Sequence, residues 1–203
     1  RGRVTNTDGA AIANATVELR GPGAPQTLTT DGDGAFAATD LVEGSYEARA
    51  EAPGYLLRAT PFEARTKQEV TLSLVLAKVP TERLTELKTK NISIKKQVQF
   101  VADNAEISDK SSALLAEIAD LLLRNPQLTK VEVQGHTDYT GTATYNQELS
   151  QARAEAVRSA LIAAGVDGSR LTAVGYGRSR PLVPNITEQN RAKNRRVEFV
   201  ILE

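Results

Sequence analysis

Two opposite charges at a junction between a strand, a loop and a helix are the residues of this chain best suited to holding a small ligand. Asp138 lies in a polar loop just after an alternating strand at 131–135, and Arg153 lies well inside the helix that follows. A carboxylate only accepts hydrogen bonds, whereas a guanidinium can donate two parallel ones. If the loop folds back over the helix, this pair would suit a zwitterion that carries an ammonium and a carboxylate on one carbon.

The elements around this pair predict a two-layer domain over residues 91–203. Four segments alternate apolar and polar residues as strands do: 92–100, 131–135, 171–176 and 197–201. The first of two amphipathic helices is capped by Ser108 or Asp109 and stops before Pro126, and the second ends at a left-handed Gly165. The order is β-α-β-α-β-β, which predicts an α/β sandwich with its helices on one face.

Residues 1–79 predict an all-β antiparallel sandwich of Greek-key type. Short alternating segments recur at 15–20, 46–51 and 70–76, and turn clusters rich in Gly, Asp and Pro lie between them. Residues 80–90 are charged, contain Pro80 and hold few large apolar side chains. We therefore predict a linker there, with at most one helical turn.

The string Asp31-Gly32-Asp33-Gly34 begins like a calcium-binding loop. An EF-hand loop would need another oxygen ligand at position 35 and a bidentate glutamate at position 42, where this chain has Ala35 and Val42. Asp-Gly pairs are strong turn formers. A hairpin turn is therefore the favoured prediction, and a weak calcium site is the alternative.

Composition limits the classes of partner. The 203 residues carry 25 basic and 25 acidic side chains, so the net charge gives no reason to expect binding to nucleic acid. The chain contains no Cys, a count that fits either a reducing compartment or a disulfide-free exported protein. It opens at Arg1, has no Met and contains no apolar run of about 20 residues. We therefore expect a mature product or an excised piece whose membrane anchor lies in sequence outside it.

Four separated motifs occur in the order Gly135-His136-Thr137-Asp138, Leu149-Ser150-Gln151-Ala152-Arg153-Ala154, Gly175-Tyr176-Gly177 and Asn194-Arg195-Arg196-Val197-Glu198-Phe199. Over residues 90–203 they resemble the OmpA-like carboxy-terminal domain, a family that includes the peptidoglycan-associated lipoprotein and the flagellar stator protein of the B type. The resemblance implies non-covalent binding of peptidoglycan, chiefly of the diaminopimelate in its stem peptide. The aspartate and arginine of the family motifs fall on Asp138 and Arg153.

Residues 1–79 resemble the carboxypeptidase-regulatory-like, or transthyretin-like, β-sandwich. The matching features are turns and core positions, in the order Gly2-Arg3-Val4, Thr30-Asp31-Gly32, Gly44-Ser45-Tyr46 and Ala52-Pro53-Gly54-Tyr55. This likeness implies a fold rather than a function.

Further contacts to a stem peptide are expected from two loops. Asn146 either orders the loop after the strand or donates a hydrogen bond to the ligand. Thr140 and Gly141 let the loop backbone approach the ligand, since Gly has no side chain. Asp103 and Asn104 occupy an earlier loop that touches the peptide in the family, and here we expect contact through the backbone rather than the side chains.

A basic segment ahead of the last strand could neutralise carboxylates of peptidoglycan: Arg191, Asn194, Arg195 and Arg196. We expect structural roles for Asn194 and one of the arginines. Alternation places Arg195 on the buried side with Val197 and Arg196 on the other side with Glu198. Arg196 is therefore predicted to face solvent and to join the binding site.

Catalysis is the competing hypothesis, because His136 stands two residues before Asp138 and a cell-wall hydrolase could use a general base there. His136 is the only His of the chain and there is no Cys, so neither a three-ligand zinc site nor a Ser-His-Asp triad assembles readily. We expect a binding protein with no enzyme activity, cofactor or metal.

The resemblance also implies a place in the cell. We expect a periplasmic protein of a diderm bacterium, attached to the outer membrane by a β-barrel or lipid anchor, although an inner-membrane helix would leave the same sequence. In a third hypothesis the β-sandwich is an adhesin or partner-binding module and the second domain is only its wall anchor.

Overall fold

The fold is described from a computed structural model, which covers residues 1–101 and 104–202. Contacts divide the chain into two units: 1–82 with 119–124 and 163–166, and the remaining residues from 83 onward. No helix within the described ranges is long and apolar enough to cross a membrane.

The first unit contains two sheets, as the sequence predicts. Its strands are β1 (Gly2–Asn6), β2 (Thr16–Arg20), β3 (Gln26–Thr29), β4 (Ala35–Phe36), β5 (Gly44–Glu51), β6 (Arg58–Ala64) and β7 (Leu72–Leu76). One sheet has the order β4-β1-β7 and the other β3-β2-β5-β6. The pairing is antiparallel except between β1 and β7, which run parallel.

The alternating residues of these strands form one apolar core. Its fully buried members include Val4, Val17, Ala48 and Leu74. Since each strand buries every second side chain, the core sets which face of each strand turns inward.

The string at 31–34 forms a turn, as predicted, but not the predicted hairpin, because β3 and β4 on either side of it belong to different sheets. The Asp31 carboxylate accepts hydrogen bonds from the backbone nitrogens of Asp33 at 2.9 Å and Ala35 at 2.8 Å. Gly34 has φ +73°, a conformation that suits a residue without a side chain. The oxygen that a cation would need therefore already holds the turn together.

The second unit carries the remaining strands and most of the helical residues, whereas the second half of α1 and the last residue of α2 are grouped with the first unit. These strands and helices are β8 (Thr85–Leu87), β9 (Asn91–Ile94), α1 (Ser112–Arg124), β10 (Val131–His136), α2 (Ala143–Ala163), β11 (Leu171–Gly175), α3 (Glu188–Asn194) and β12 (Arg196–Ile201). The sheet order is β11-β10-β12-β9-β8. Only β10 and β11 run parallel. Together with the β-sandwich, this α/β unit confirms the predicted fold class.

Two glycines of this sheet allow α2 to lie directly against it. Val131 and Val133 of β10 are buried, and a side chain at Gly135 would overlap the backbone carbonyl of Ser150 in α2. A side chain at Gly175 of β11 would likewise overlap the backbone of Gln151. The helix therefore starts close to the strand end that carries Asp138.

Three local details differ from the sequence-based prediction. The predicted linker contributes β8, an edge strand that pairs only with β9. The predicted strand at 92–100 ends at Ile94, because the backbone of Gln99 and Val101 bonds to Ser108 and Glu106 instead of to a sheet neighbour. The loop predicted before the last strand contains α3.

The start of α1 also differs, because a short 3-10 turn, Asp109–Ser111, precedes it. Ser108 at the head of that turn makes no side-chain capping hydrogen bond within the described part of the chain. Gly165 has φ +96°, which confirms the predicted left-handed residue after α2.

Candidate functional site

Asp138 sits immediately beyond β10 with both carboxylate oxygens engaged. Its side chain is 8% exposed. Oδ1 accepts a hydrogen bond from the Thr140 backbone nitrogen at 2.8 Å, and Oδ2 accepts one from Nη1 of Arg195 at 2.6 Å. The carboxylate is therefore fixed in direction before any ligand arrives.

These bonds keep Asp138 ionised. Burial alone would raise the pKa of the carboxyl group, but the hydrogen bonds from Arg195 and from Thr140 outweigh it. The net result is a pKa below the ordinary value of an aspartate. Asp138 is therefore an anion throughout the neutral range and suits an ammonium partner.

Arg195 is the cation next to Asp138. Its side chain is more exposed than strand alternation predicts. Its side chain is 39% exposed, whereas that of Arg196 is only 9% exposed. Arg196 bonds Glu198 at 2.6 Å and reaches the Arg180 carbonyl. Arg196 thus lies on the same side of the strand as Glu198, as alternation predicts, but the prediction that Arg196 is the solvent-facing arginine is wrong.

The error has a structural cause at the end of α3. Arg195 is the C-cap of that helix, with φ −73° and ψ 84°, and β12 begins only at Arg196. Strand alternation therefore does not extend to Arg195. Its guanidinium instead bridges Asp138 and Glu188, with Nη2 2.6 Å from the Glu188 carboxylate.

Arg153 and Arg195 line one cavity. It measures about 470 Å³, and its wall is formed by Gln97, Val98, Gln99, Phe100, Val101, Arg153, Ala192 and Arg195. The guanidinium carbon of Arg153 lies 4.9 Å from the centre of the Phe100 ring, and Nε donates to the Asn104 carbonyl at 3.1 Å. The cavity thus combines two guanidinium groups, an aromatic face and two amides.

The loop after β10 is held by contacts of its own. Asn146 is buried, and its side-chain nitrogen donates to the Thr140 carbonyl at 2.9 Å. Gly141 has φ +89°, which favours glycine at that position. Of the two roles expected for Asn146, the structure shows the ordering of the loop.

The earlier loop is described only in part. Asp103 lies outside the described residues. The Asn104 side-chain oxygen accepts from the backbone nitrogens of Ala105 and Glu106, and its carbonyl oxygen is the acceptor for Arg153. Asn104 thus orders the loop with its side chain and positions Arg153 with its backbone.

Asn194 has the structural role expected for it. The side chain is fully buried, and its oxygen accepts from the backbone nitrogens of Leu182 and Val183. Its nitrogen donates to the Val183 carbonyl and to the Asn185 side chain. This residue fixes the segment before α3 and, with it, the position of Arg195.

His136 is packed in the sheet face that turns away from α2. It is 2% exposed and stacks on Tyr176 with ring centres 5.5 Å apart, and neither ring nitrogen has a hydrogen-bond partner among the described residues. Burial and the charge of Arg196 lower the pKa of His136 to about 4, although Glu198 opposes the shift. His136 is therefore neutral and buried at physiological pH.

This shift predicts a stability that falls as the solution is acidified. The unfolded chain binds a proton on His136 near pH 6.5, but the folded chain does so only near pH 4. Stability should therefore drop between these values, by about 3 kcal/mol. Urea unfolding at several pH values measures it. The variant His136→Gln should show a shallower pH dependence, and equal slopes for both proteins would contradict the assignment.

Comparison with known families matches both halves of the chain. The model of the OmpA family matches residues 99–195, and that of the carboxypeptidase regulatory-like domain matches residues 1–77. The first match includes Asp138, Arg153 and Arg195.

Individual relatives match the second half. Outer membrane porin F of Pseudomonas fluorescens is 46% identical over 107 residues, which are 53% of this chain and 32% of the relative. The peptidoglycan-binding protein ArfA of Mycobacterium tuberculosis is 38% identical over 104 residues, 51% of this chain and 32% of the relative. The chain thus spans about a third of the length of each of these curated relatives.

A solved structure, the cell wall anchor of the T6SS from Pseudomonas aeruginosa, superposes with a TM-score of 0.50 at 34% identity. The match covers 58% of this chain and 85% of that one.

Proposed function

Because the chain belongs to the OmpA family through residues 99–195, we propose that it binds peptidoglycan non-covalently through the diaminopimelate of the stem peptide. The observation that carries the proposal is the buried Asp138, tied to Arg195, which lines one cavity with Arg153. The relatives named as a peptidoglycan-binding protein and as a cell wall anchor support the binding of peptidoglycan, and the part played by diaminopimelate is inferred from the charges of the site.

The chemistry of diaminopimelate suits this arrangement. Its second stereocentre carries an ammonium and a carboxylate on one carbon. Asp138 offers an ionised acceptor to the ammonium, and Arg153 offers two donors in a fixed plane to the carboxylate. Arg195 can hold Asp138 in place while the site is empty and can share it with the incoming ammonium, because the aspartate oxygens have further lone pairs.

We propose binding without catalysis. His136 is the general base that a hydrolase would use, but its ring is buried under Tyr176 and lies on the face of the sheet opposite α2. Within residues 1–101 and 104–202, no group of three or more His, Cys, Asp or Glu side chains could hold a metal ion. These features support a receptor for the cell wall rather than an enzyme acting on it.

The proposed location is the periplasm, with attachment to the outer membrane. The relative named an outer membrane porin supports an envelope protein of this kind. The β-sandwich of residues 1–77 would then be a spacer, and a partner-binding module held at the wall by the second unit is the alternative. Calorimetric titration of the whole chain with a diaminopimelyl stem peptide and with the matching lysyl peptide tests the proposed function.

A further inference from the structure

A second, smaller groove lies next to the cavity of Arg153 and is used by none of the contacts described so far. Its volume is about 270 Å³, and it is lined by Asn104, Ala105, Tyr145, Glu148, Leu149 and Ala152. Asn104 lies between the two concavities, since it lines the groove and its carbonyl accepts the hydrogen bond from Arg153. A ligand seated at Arg153 could therefore continue into the groove.

The groove combines an aromatic face with exposed polar groups. Tyr145 lines the groove and is 46% exposed. Glu148 and Asn104 are both exposed, so the carboxylate of the first and the side-chain nitrogen of the second are accessible to a ligand in the groove. An aromatic ring beside an exposed acceptor and an exposed donor suits a pyranose, which has an apolar C–H face and a rim of hydroxyl and amide groups.

The spacing along α2 fits the architecture of peptidoglycan. Tyr145, Leu149, Ala152 and Arg153 follow one another at intervals of four, three and one residues, so they share one side of the helix. Eight residues of helix separate Tyr145 from Arg153, which is about 12 Å at 1.5 Å per residue. The clamp would hold the far end of the diaminopimelate side chain, so that side chain, two amino acids and a lactyl group separate it from the sugar. This chain measures about 15 Å or more when extended, which is enough to reach from Arg153 to Tyr145.

We propose that this groove binds an N-acetylated amino sugar of the glycan strand, with the sugar ring against Tyr145. This proposal rests on the proposed function. The peptide would be held at Asp138 and Arg153, and the sugar to which it is attached would lie along the first turns of α2. The protein would then recognise the junction of peptide and glycan rather than the peptide alone.

The test compares two ligands that share one peptide. The whole chain is titrated with a free diaminopimelyl stem peptide and with the same peptide attached to its disaccharide. We expect the disaccharide to tighten binding about fivefold to tenfold. In Tyr145→Ala this gain should disappear while the affinity for the free peptide changes less than about twofold. Tyr145→Phe, which keeps the ring, should retain most of the gain.

Tyr139→Ala is the matched control, because Tyr139 is 51% exposed in the loop before α2 and does not line the groove. It should leave the gain intact. A disaccharide that adds nothing to the unmutated chain would overturn the proposal. So would an equal loss of both ligands in Tyr145→Ala, which would place Tyr145 against the peptide. If the free peptide fails to bind the unmutated chain, the peptide site itself is disproved and the sugar proposal fails with it.

Discussion

Replacing Asp138 by asparagine or Arg153 by glutamine is expected to remove nearly all binding of a diaminopimelyl peptide while the chain stays folded. Each change takes away one charge of the pair proposed to bind the ligand, and it would leave the opposite charge of the ligand desolvated without a partner. Truncating one member of such a pair costs about 2–5 kcal/mol, or roughly 30-fold to several thousand-fold in affinity. Calorimetry on the purified variants measures the loss.

Arg153→Lys shows how much of the affinity depends on the planar donors of the guanidinium rather than on its positive charge alone. A lysine keeps the positive charge but loses the planar pair of donors, so an intermediate loss of about tenfold or more is expected. Two control variants carry the same kinds of substitution at residues that do not line the cavity. Asp167→Asn alters an aspartate near the end of α2 whose carboxylate accepts a hydrogen bond from Ser169, and Arg158→Lys alters the helix five residues beyond Arg153. Both should bind normally, and full binding by Asp138→Asn would contradict the clamp.

Gly135→Ala is expected to have the largest effect on folding. A methyl group there would overlap the Ser150 carbonyl, and the atoms it meets belong to the helix backbone, so no side chain can rotate away. The helix must move off the sheet, and overpacking of this kind costs about 3 kcal/mol or more. Because Asp138 lies just beyond the end of the same strand, three residues after Gly135, peptide binding should weaken as well.

Urea unfolding of the full chain measures this effect. Gly32→Ala is the control, because a side chain at Gly32 would meet no atom within 4 Å and the residue lacks a positive φ. The control should change the free energy of unfolding by less than about 1 kcal/mol. A loss below that value in Gly135→Ala would show that α2 does not approach the sheet as closely as described.

The positions of Asp138 and Arg153 could be predicted because local signals fix them. The alternating strand, the polar loop and the long amphipathic helix are all readable over short distances, and Gly165 marks the helix end. The fold class followed from the order of these elements, and the turn at 31–34 from its Asp-Gly pairs.

Arg195 could not be predicted, because its direction depends on where α3 ends. The stretch before the last strand contains Pro and Asn and lacks an apolar stripe, so periodicity gives no helix there. Alternation continued backwards from the last strand therefore predicts that Arg195 lies on the buried side. Thr187, whose side chain accepts from the Asn190 backbone nitrogen, is the one local signal that marks the helix start.

The wall of the cavity formed by 97–101 was missed for a different reason. Val98 and Phe100 continue the alternation of β9, but the backbone of Gln99 bonds to Ser108 and Ser111. Alternation reports which side chains share a face and does not report which segment supplies the hydrogen bonds. The aromatic contact between Phe100 and Arg153 is therefore visible only in three dimensions.

The measurement that tests the central claim most directly is calorimetric titration of the unmutated chain with two stem peptides that differ only at the third residue. One carries diaminopimelate, and the other carries lysine, which keeps the ammonium but lacks the second carboxylate. Asp138 and Arg153 predict saturable binding of the first peptide and a loss of about tenfold or more for the second. Equal affinity for both, or no binding of the diaminopimelyl peptide by the folded chain, would contradict recognition of the zwitterion.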